Sequence, residues 1–167
     1  MIILSPHISS KQLEWRNDPK IYAWTRQNGL LSPSDHEKWL ARIQSDPTIK
    51  MFGIESDYGL EVGTCGLTSI NPTHGTAEFS LFIAPEHHKK GYGKPALQKL
   101  LSYGFKHMRL NCIFGETFEG NHAKNMFLSI GMIEEGKLQS RYFKHGQYIN
   151  TFMVSITHDQ AKEQSWY

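Results

Sequence analysis

The sequence predicts an α/β domain with a mixed, mostly antiparallel sheet flanked by helices, and three observations carry that prediction. The chain has 167 residues, 39% of them hydrophobic and 20% charged, which is the size and make-up of one globular domain. Such a chain buries roughly 70% of its unfolded surface and needs neither disulfide nor metal for a core. Strand-like apolar runs bounded by turn residues fill 51–84 and 132–156. Segments with helical spacing lie before and between those runs, so helices and strands share one unit.

Each element has a local reason. Residues 2–4 form a short strand. Ser9-Ser10-Lys11-Gln12 matches a capping box and opens a helix to about Arg16. Asp18-Pro19 places a cap residue before proline and starts a second helix over 21–25, which Gly29 breaks. Ser32-Pro33-Ser34-Asp35 starts a third, with Trp39, Leu40 and Ile43 as its buried stripe and Asp46-Pro47 closing it. Segments 51–55, 60–70 and 76–84 make an antiparallel meander, joined by Asp57-Tyr58-Gly59 and Asn71-Pro72-Thr73-His74-Gly75. After Gly91-Tyr92-Gly93, the residues Leu97, Leu100, Leu101, Phe105 and Met108 fall on one face of a helix. Segment 112–118 is a strand, and 122–130 is a short helix ended by Gly131. A final strand pair, 132–141 and 147–156, turns around Lys144-His145-Gly146. No repeat or linker interrupts this order, so one domain is expected over 1–167.

Composition removes several classes of function. Four Trp, seven Tyr and nine Phe supply too much apolar surface for a disordered chain. No apolar run approaches the ~18 residues of a membrane span. A net charge of +2 is too small for a general nucleic-acid binder. Met1-Ile2-Ile3-Leu4-Ser5-Pro6-His7 lacks the basic start of a signal peptide. Cys65 and Cys112 have no C-x-x-C spacing, so they read as buried free thiols and not as a metal or redox pair. A cytoplasmic protein with no metal, no membrane partner and no nucleic-acid partner is therefore expected.

The densest positive charge lies in Ile83-Ala84-Pro85-Glu86-His87-His88-Lys89-Lys90-Gly91-Tyr92-Gly93-Lys94, where a strand ends and a helix begins. The first amides of a helix lack intrahelical acceptors and carry partial positive charge. Glycines let the backbone approach an anion, and the lysines add full charges. Together these describe a phosphate or pyrophosphate cradle; a solvated basic turn is the plainer alternative. A P-loop fails because His88 holds its first glycine position and Pro95 follows Lys94. Gly91, Gly93 and Ala96 satisfy a dinucleotide fingerprint, but Leu110-Asn111-Cys112 offers no acid about twenty residues on.

Pro85, His88, Gly91 and Gly93, following a strand, resemble the acetyl-CoA pyrophosphate loop of the GNAT acetyltransferases, usually written [RQ]-x-x-G-x-[GA]. His88 stands where that family has Arg or Gln. Glu119-Gly120-Asn121-His122-Ala123, leading to Phe127-Leu128-Ser129-Ile130-Gly131-Met132, is similar to the family's N-x-x-A…Y-x-x-x-G-F element. There Asn121 is one residue nearer the glycine than usual and Phe127 replaces Tyr. Glu14-Trp15-Arg16-Asn17-Asp18-Pro19 and Ser32-Pro33-Ser34-Asp35-His36-Glu37-Lys38-Trp39 resemble the ribosomal-protein N-terminal acetyltransferase branch. Within it, the likeness is to enzymes that acetylate an amine on a nucleotide-linked amino sugar, as in pseudaminic acid biosynthesis.

The resemblance implies acetyl-CoA as cosubstrate and direct attack of a primary amine on the thioester, with no covalent enzyme intermediate. It implies a strand that splays before the loop, so that backbone amides of Phe82, Ile83 and Ala84 bind pantetheine and Ile83 serves the oxyanion. His88, Lys89, Lys90, Gly91, Tyr92, Gly93 and Lys94 would form the pyrophosphate loop, with Tyr92 packing over it. Asn121 and Phe127 would complete the cofactor contacts. The acceptor would be a small-molecule amine and the enzyme a monomer or homodimer.

Strand alternation sets Ala77, Phe79, Leu81 and Ile83 on one face and aims Glu78 the other way, toward the cleft, as general base. His36 is a second candidate for proton handling or for a substrate phosphate, with packing beside Trp39 as the alternative. Arg16 and Arg26 suit a diphosphate, and Trp15 or Trp24 a stacked base. Phe127 cannot donate a proton, which leaves Tyr142, Tyr148 or water as general acid. A protein N-terminus, an aminoglycoside or a polyamine are alternative acceptors, and a CoA-binding sensor is the non-enzymatic alternative.

Overall fold

The computed structural model describes residues 2–167. Seven strands make one sheet: β1 (Ile2–Ser5), β2 (Lys50–Ser56), β3 (Glu61–Asn71), β4 (Thr76–Ile83), β5 (Cys112–Phe118), β6 (Ile133–Lys144) and β7 (Gln147–Thr157). Their spatial order is β1-β2-β3-β4-β5-β7-β6, and β4–β5 is the only parallel neighbour pair in it. The mixed, mostly antiparallel sheet expected from the sequence is what forms. Helices α1 (Lys11–Asn17), α2 (Pro19–Tyr22) and α3 (Pro33–Ser45) separate β1 from β2. The longest, α4 (Gly93–Met108), connects the parallel pair, α5 (Ala123–Leu128) precedes β6, and α6 (His158–Lys162) follows β7.

Strand alternation and helical spacing bring their apolar faces into one core. Leu97, Leu100, Leu101 and Phe105 of α4 share a cluster with Cys65 and Leu67 of β3, Ala77 and Phe79 of β4, and Ile113 of β5. Gly104 lets the helix settle close: a Cβ there would come within 2.7 Å of Ile113 Cδ1. Burial pushes the Cys65 thiol up to about 12, and Cys112 is only half-buried.

The parallel pair is short. Thr76, Ala77 and Glu78 face Cys112, Ile113 and Phe114, and there the pairing ends. Beyond it the Phe79 ring lies against Gly115, where a Cβ would come within 2.5 Å of the ring. Phe127 meets Phe79 edge-on at 5.0 Å.

Several local expectations change. The Ser9–Gln12 capping box does not form: the Ser9 hydroxyl has no partner, and the Ser9 backbone N–H and the Gln12 side-chain amide both donate to Glu61. The second helix stops at Tyr22, earlier than expected. On α3 the Ser32–Asp35 capping box is complete, but His36 is the buried residue. Trp39, Leu40 and Ile43 are half-buried, and a groove of about 350 Å³ lies between Ile43 and Ile49, Ile70 and Met108. Helix α6 extends the chain past the last expected strand, and Thr157 and Gln160 form its complete capping box.

Gly115→Ala forces the Phe79 ring aside. It is expected to cost about 1–3 kcal/mol, seen as a lower urea midpoint at unchanged m-value.

Candidate functional site

Where β4 leaves β5, one edge of β4 loses its partner. On the other edge the Ala84 amide donates to the Val62 carbonyl at 2.8 Å, and Phe82 lies opposite Thr64. Alternation along an antiparallel ladder therefore turns the Phe82 and Ala84 amides toward β3, and those of Leu81 and Ile83 toward the opening. Of the three amides expected from the sequence, only that of Ile83 faces the split, and Leu81 joins it. The Thr117 hydroxyl, on the stretch of β5 past the last pair, is buried and unpartnered.

The loop that follows is anchored to the same edge. After a short 3-10 turn over Pro85–His87, His88 Nε2 lies 2.8 Å from the Ile83 carbonyl. A carbonyl only accepts, so this nitrogen carries the proton. His88 thus holds the loop to the strand. Lys89 and Gly91 take the left-handed backbone region, with φ of 61° and 81°. Tyr92 precedes α4 without a side-chain cap, which leaves the first amides of a 16-residue helix free for an anion. Lys89, Lys90 and Lys94 are exposed around it. A Cβ at Gly93 would lie 3.3 Å from Met126 Sδ, so the helix start packs on α5. Asn121 accepts from the Ala123 amide at 2.9 Å, in the turn that leads into α5. Phe127, 6% exposed, belongs to the core, which is a packing role in place of the expected cofactor contact.

On the sheet face away from α4, Glu78 and Arg26 are bound at 2.6 Å. Burial works to lower the Arg26 guanidinium, but hydrogen bonding to Tyr142 and the charge of Glu78 outweigh it and hold it above its usual value. Arg26, expected to grip a diphosphate, is thus the counter-ion of the expected general base. Lys144 holds the loop that carries Arg26. Its ammonium, 4% exposed as a residue, donates to the carbonyls of Tyr22 at 3.0 Å and Gln27 at 2.5 Å. It also sits 3.8 Å from the centre of the Tyr22 ring, and burial lowers its pKa. Asn17 closes the loop by bonding both backbone groups of Leu31. Lys144 lies in what the sequence presents as a hairpin turn, and no local signal marks it as buried.

The two tryptophans separate. Trp15 is 6% exposed and donates its indole N–H to Glu86 at 3.1 Å, a packing role. Trp24 is 45% exposed and lines a cleft of about 420 Å³ with Phe118, Glu119, His145 and Tyr148. His36 stacks on Trp39 at 5.6 Å, the same ring that Arg16 approaches, and no hydrogen bond or ion pair joins it to Glu78 among the described residues. Those residues also include no cluster of three His, Cys, Asp or Glu able to hold a metal.

Residues 3–132 match the family described as acetyltransferase (GNAT) domain. The spermidine N(1)-acetyltransferase of Vibrio cholerae serotype O1 is 32% identical over 104 residues, which are 62% of this chain and 60% of that protein. The acetyltransferase PseH of Campylobacter jejuni subsp. jejuni is 24% identical over 118 residues, 68% of this chain and 71% of that one. The crystal structure of spermidine N-acetyltransferase from Vibrio cholerae in complex with CoA and spermine shares the fold, with a TM-score of 0.91 at 23% identity. It covers 97% of this chain and 98% of that one.

Two outcomes follow from the buried cations. Lys144→Met leaves two carbonyls without their donor and is expected to cost about 1–3 kcal/mol, with faster tryptic cleavage after Arg26. Burial, then the charge of Arg16, push His36 below its usual value. The unfolded chain then takes the proton first, so stability falls as pH drops below about 6.5. His36→Gln is expected to flatten that part of a pH series of urea midpoints.

Proposed function

Because the chain belongs to the acetyltransferase (GNAT) domain family, we propose that it transfers the acetyl group of acetyl-CoA to a primary amine of a small molecule, both reactants being bound together. The observation that carries this is the unpaired half of β4, with the Leu81 and Ile83 amides free, running into a basic glycine loop at the start of α4. These groups fit the cosubstrate: strand amides and the orphaned Thr117 hydroxyl suit pantetheine, and helix amides with Lys89, Lys90 and Lys94 suit the pyrophosphate. Once bound, the thioester supplies the acyl group.

The chain's own groups then have separable tasks. The Ile83 amide is a fixed donor for the thioester oxygen, in a place where no water need reorient. Glu78 takes the amine proton, directly or through a water, and Arg26 holds its carboxylate in one orientation. Tyr142, whose hydroxyl lies against Arg26, takes over the proton donation that Phe127 cannot perform. Tyr148, 71% exposed in the hairpin cleft, fits this task less well.

Two acceptor classes have support. A polyamine is favoured by Glu78 and Glu116, which alternation sets on one sheet face, by Arg26 being already paired, and by the activity in the name of the Vibrio cholerae relative. A nucleotide-linked amino sugar is favoured by the Trp24 cleft, which has room and an aromatic wall for a base.

Saturating acetyl-CoA is expected to raise the melting temperature, with about 2.7 kcal/mol of stabilisation at a hundred times Kd; no shift overturns the cosubstrate assignment. Thiol release over a panel of spermidine, a nucleotide-linked amino sugar, an aminoglycoside and a peptide identifies the acceptor. No release with any amine, despite stabilisation, indicates a sensor. Glu78→Gln is expected to lower kcat at least about a hundredfold and to leave the acetyl-CoA KM in place. Near wild-type kcat across the pH profile removes Glu78 as base.

A further inference from the structure

The loop between α2 and α3 carries the one Asn-Gly step of the chain, Asn28-Gly29. Both residues are exposed. Among the described residues the Asn28 side chain has no hydrogen-bond partner, and the Gly29 amide N–H has no acceptor. A Cβ on Gly29 would meet nothing within 4 Å, so the space around the step is open. The chain on either side is held: Lys144 donates to the Gln27 carbonyl, the Gln27 side-chain amide donates to the Gly29 carbonyl at 2.7 Å, and Asn17 bonds both backbone groups of Leu31. The other asparagines lack this combination. Asn17 is engaged by Leu31, Asn71 precedes a proline with no N–H, and Asn150 is bonded to Glu119 from within β7. Asn111, Asn121 and Asn125 are each followed by a residue with a Cβ.

An asparagine side chain can close a succinimide ring with the next backbone nitrogen, and glycine leaves that nitrogen unshielded. The Gly29 nitrogen gives up its proton to solvent and bonds to Cγ of Asn28; the Cγ–Nδ2 bond breaks and ammonia leaves. Water then opens the ring. Breaking the bond from nitrogen to Cγ gives aspartate, and breaking it at the main-chain carbonyl gives isoaspartate, whose backbone runs through Cβ and Cγ. One water is taken up and one ammonia released, with nothing oxidised or reduced. Either product places a carboxylate where the chain had a neutral amide. Arg26 is two residues away, within about 7 Å between Cα atoms, and its side chain is 48% exposed. We propose that Asn28 is a modification site, converted by water to aspartate and isoaspartate, whose new carboxylate competes with Glu78 for the Arg26 guanidinium. The site stands whether or not Glu78 acts as general base, because only the loop and water take part.

The folded full chain is incubated in mildly alkaline buffer, then digested with trypsin beside an unincubated control, and the peptide of residues 27–38 is weighed. The expected result is a steady gain of the mass that separates an acid from an amide. Part of that peptide is expected to accept a methyl group from S-adenosylmethionine and a protein isoaspartyl methyltransferase, which marks isoaspartate. Gly29→Ala fits the open space and is expected to slow the gain at least about tenfold, because a Cβ hinders approach to the nitrogen. The consequence is read by NMR at the Arg26 Nε–H signal, identified by its loss in Arg26→Lys. In Asn28→Asp that signal is expected to move toward its position in Glu78→Gln. An unchanged peptide, or equal rates in the wild type and Gly29→Ala, overturns the modification site. An Arg26 signal unmoved in Asn28→Asp overturns the competition with Glu78. Wild-type kcat in Glu78→Gln, by contrast, removes only the general base, and both readouts here still decide.

Discussion

Everything at the candidate site depends on β4 and β5 separating after three residue pairs. Had the pairing continued, the Leu81 and Ile83 amides would be spent on the sheet ladder. Separation leaves them as fixed, unpaired donors on a rigid strand, a condition that the interior of a sheet otherwise excludes. The structure accommodates the break by filling it: the Phe79 ring covers Gly115 and meets Phe127. His88 then bonds the Ile83 carbonyl on the same open edge and sets where the loop begins. The position of the basic loop is thus a consequence of where the strands part.

The cations on the other side of the sheet show how differently one charge type can be compensated. Arg26 has a carboxylate, Glu78, at 2.6 Å. Lys144 has no counter-ion among the described residues and is held by two carbonyls and a tyrosine ring, which suits a compact ammonium with three donors. Arg16 has only a ring face. The first arrangement orients a carboxylate, the second fastens a loop, and the third lays a guanidinium near an indole ring. Net charge conceals all of this, since each contributes the same single unit to the +2 of the chain.

Much of the fold is legible from local chemistry. Strand β5 has the expected bounds, and the glycine loop stands at the start of α4 as its composition requires. Caps succeed where the side chain has no competing partner, as at Asp18 and Ser32. They fail at Ser9, where Glu61 takes both the Ser9 backbone N–H and the Gln12 side-chain amide. The site is legible only in part. The place of the basic loop between β4 and α4 follows from sequence, as does the side of the sheet that Glu78 faces. The loss of Ala84 to Val62, the packing role of Trp15 and the existence of Leu81 as a free donor do not, because each depends on which edge of a strand another element occupies.

The sequence by itself determined the class of fold, the basic glycine loop between a strand and a helix, and the face on which Glu78 lies. These depend on periods of two and 3.6 residues and on turn chemistry within a few residues. Tertiary structure alone decided which charges meet. Arg26 was a free cation until the loop after α2 crossed the sheet to Glu78, Lys144 a turn residue until Tyr22 and Gln27 enclosed it, and Arg16 and His36 unrelated until Trp39 brought them together. Pairing of charges depends on distances of a few ångströms between residues far apart in the chain, and no local pattern encodes those distances.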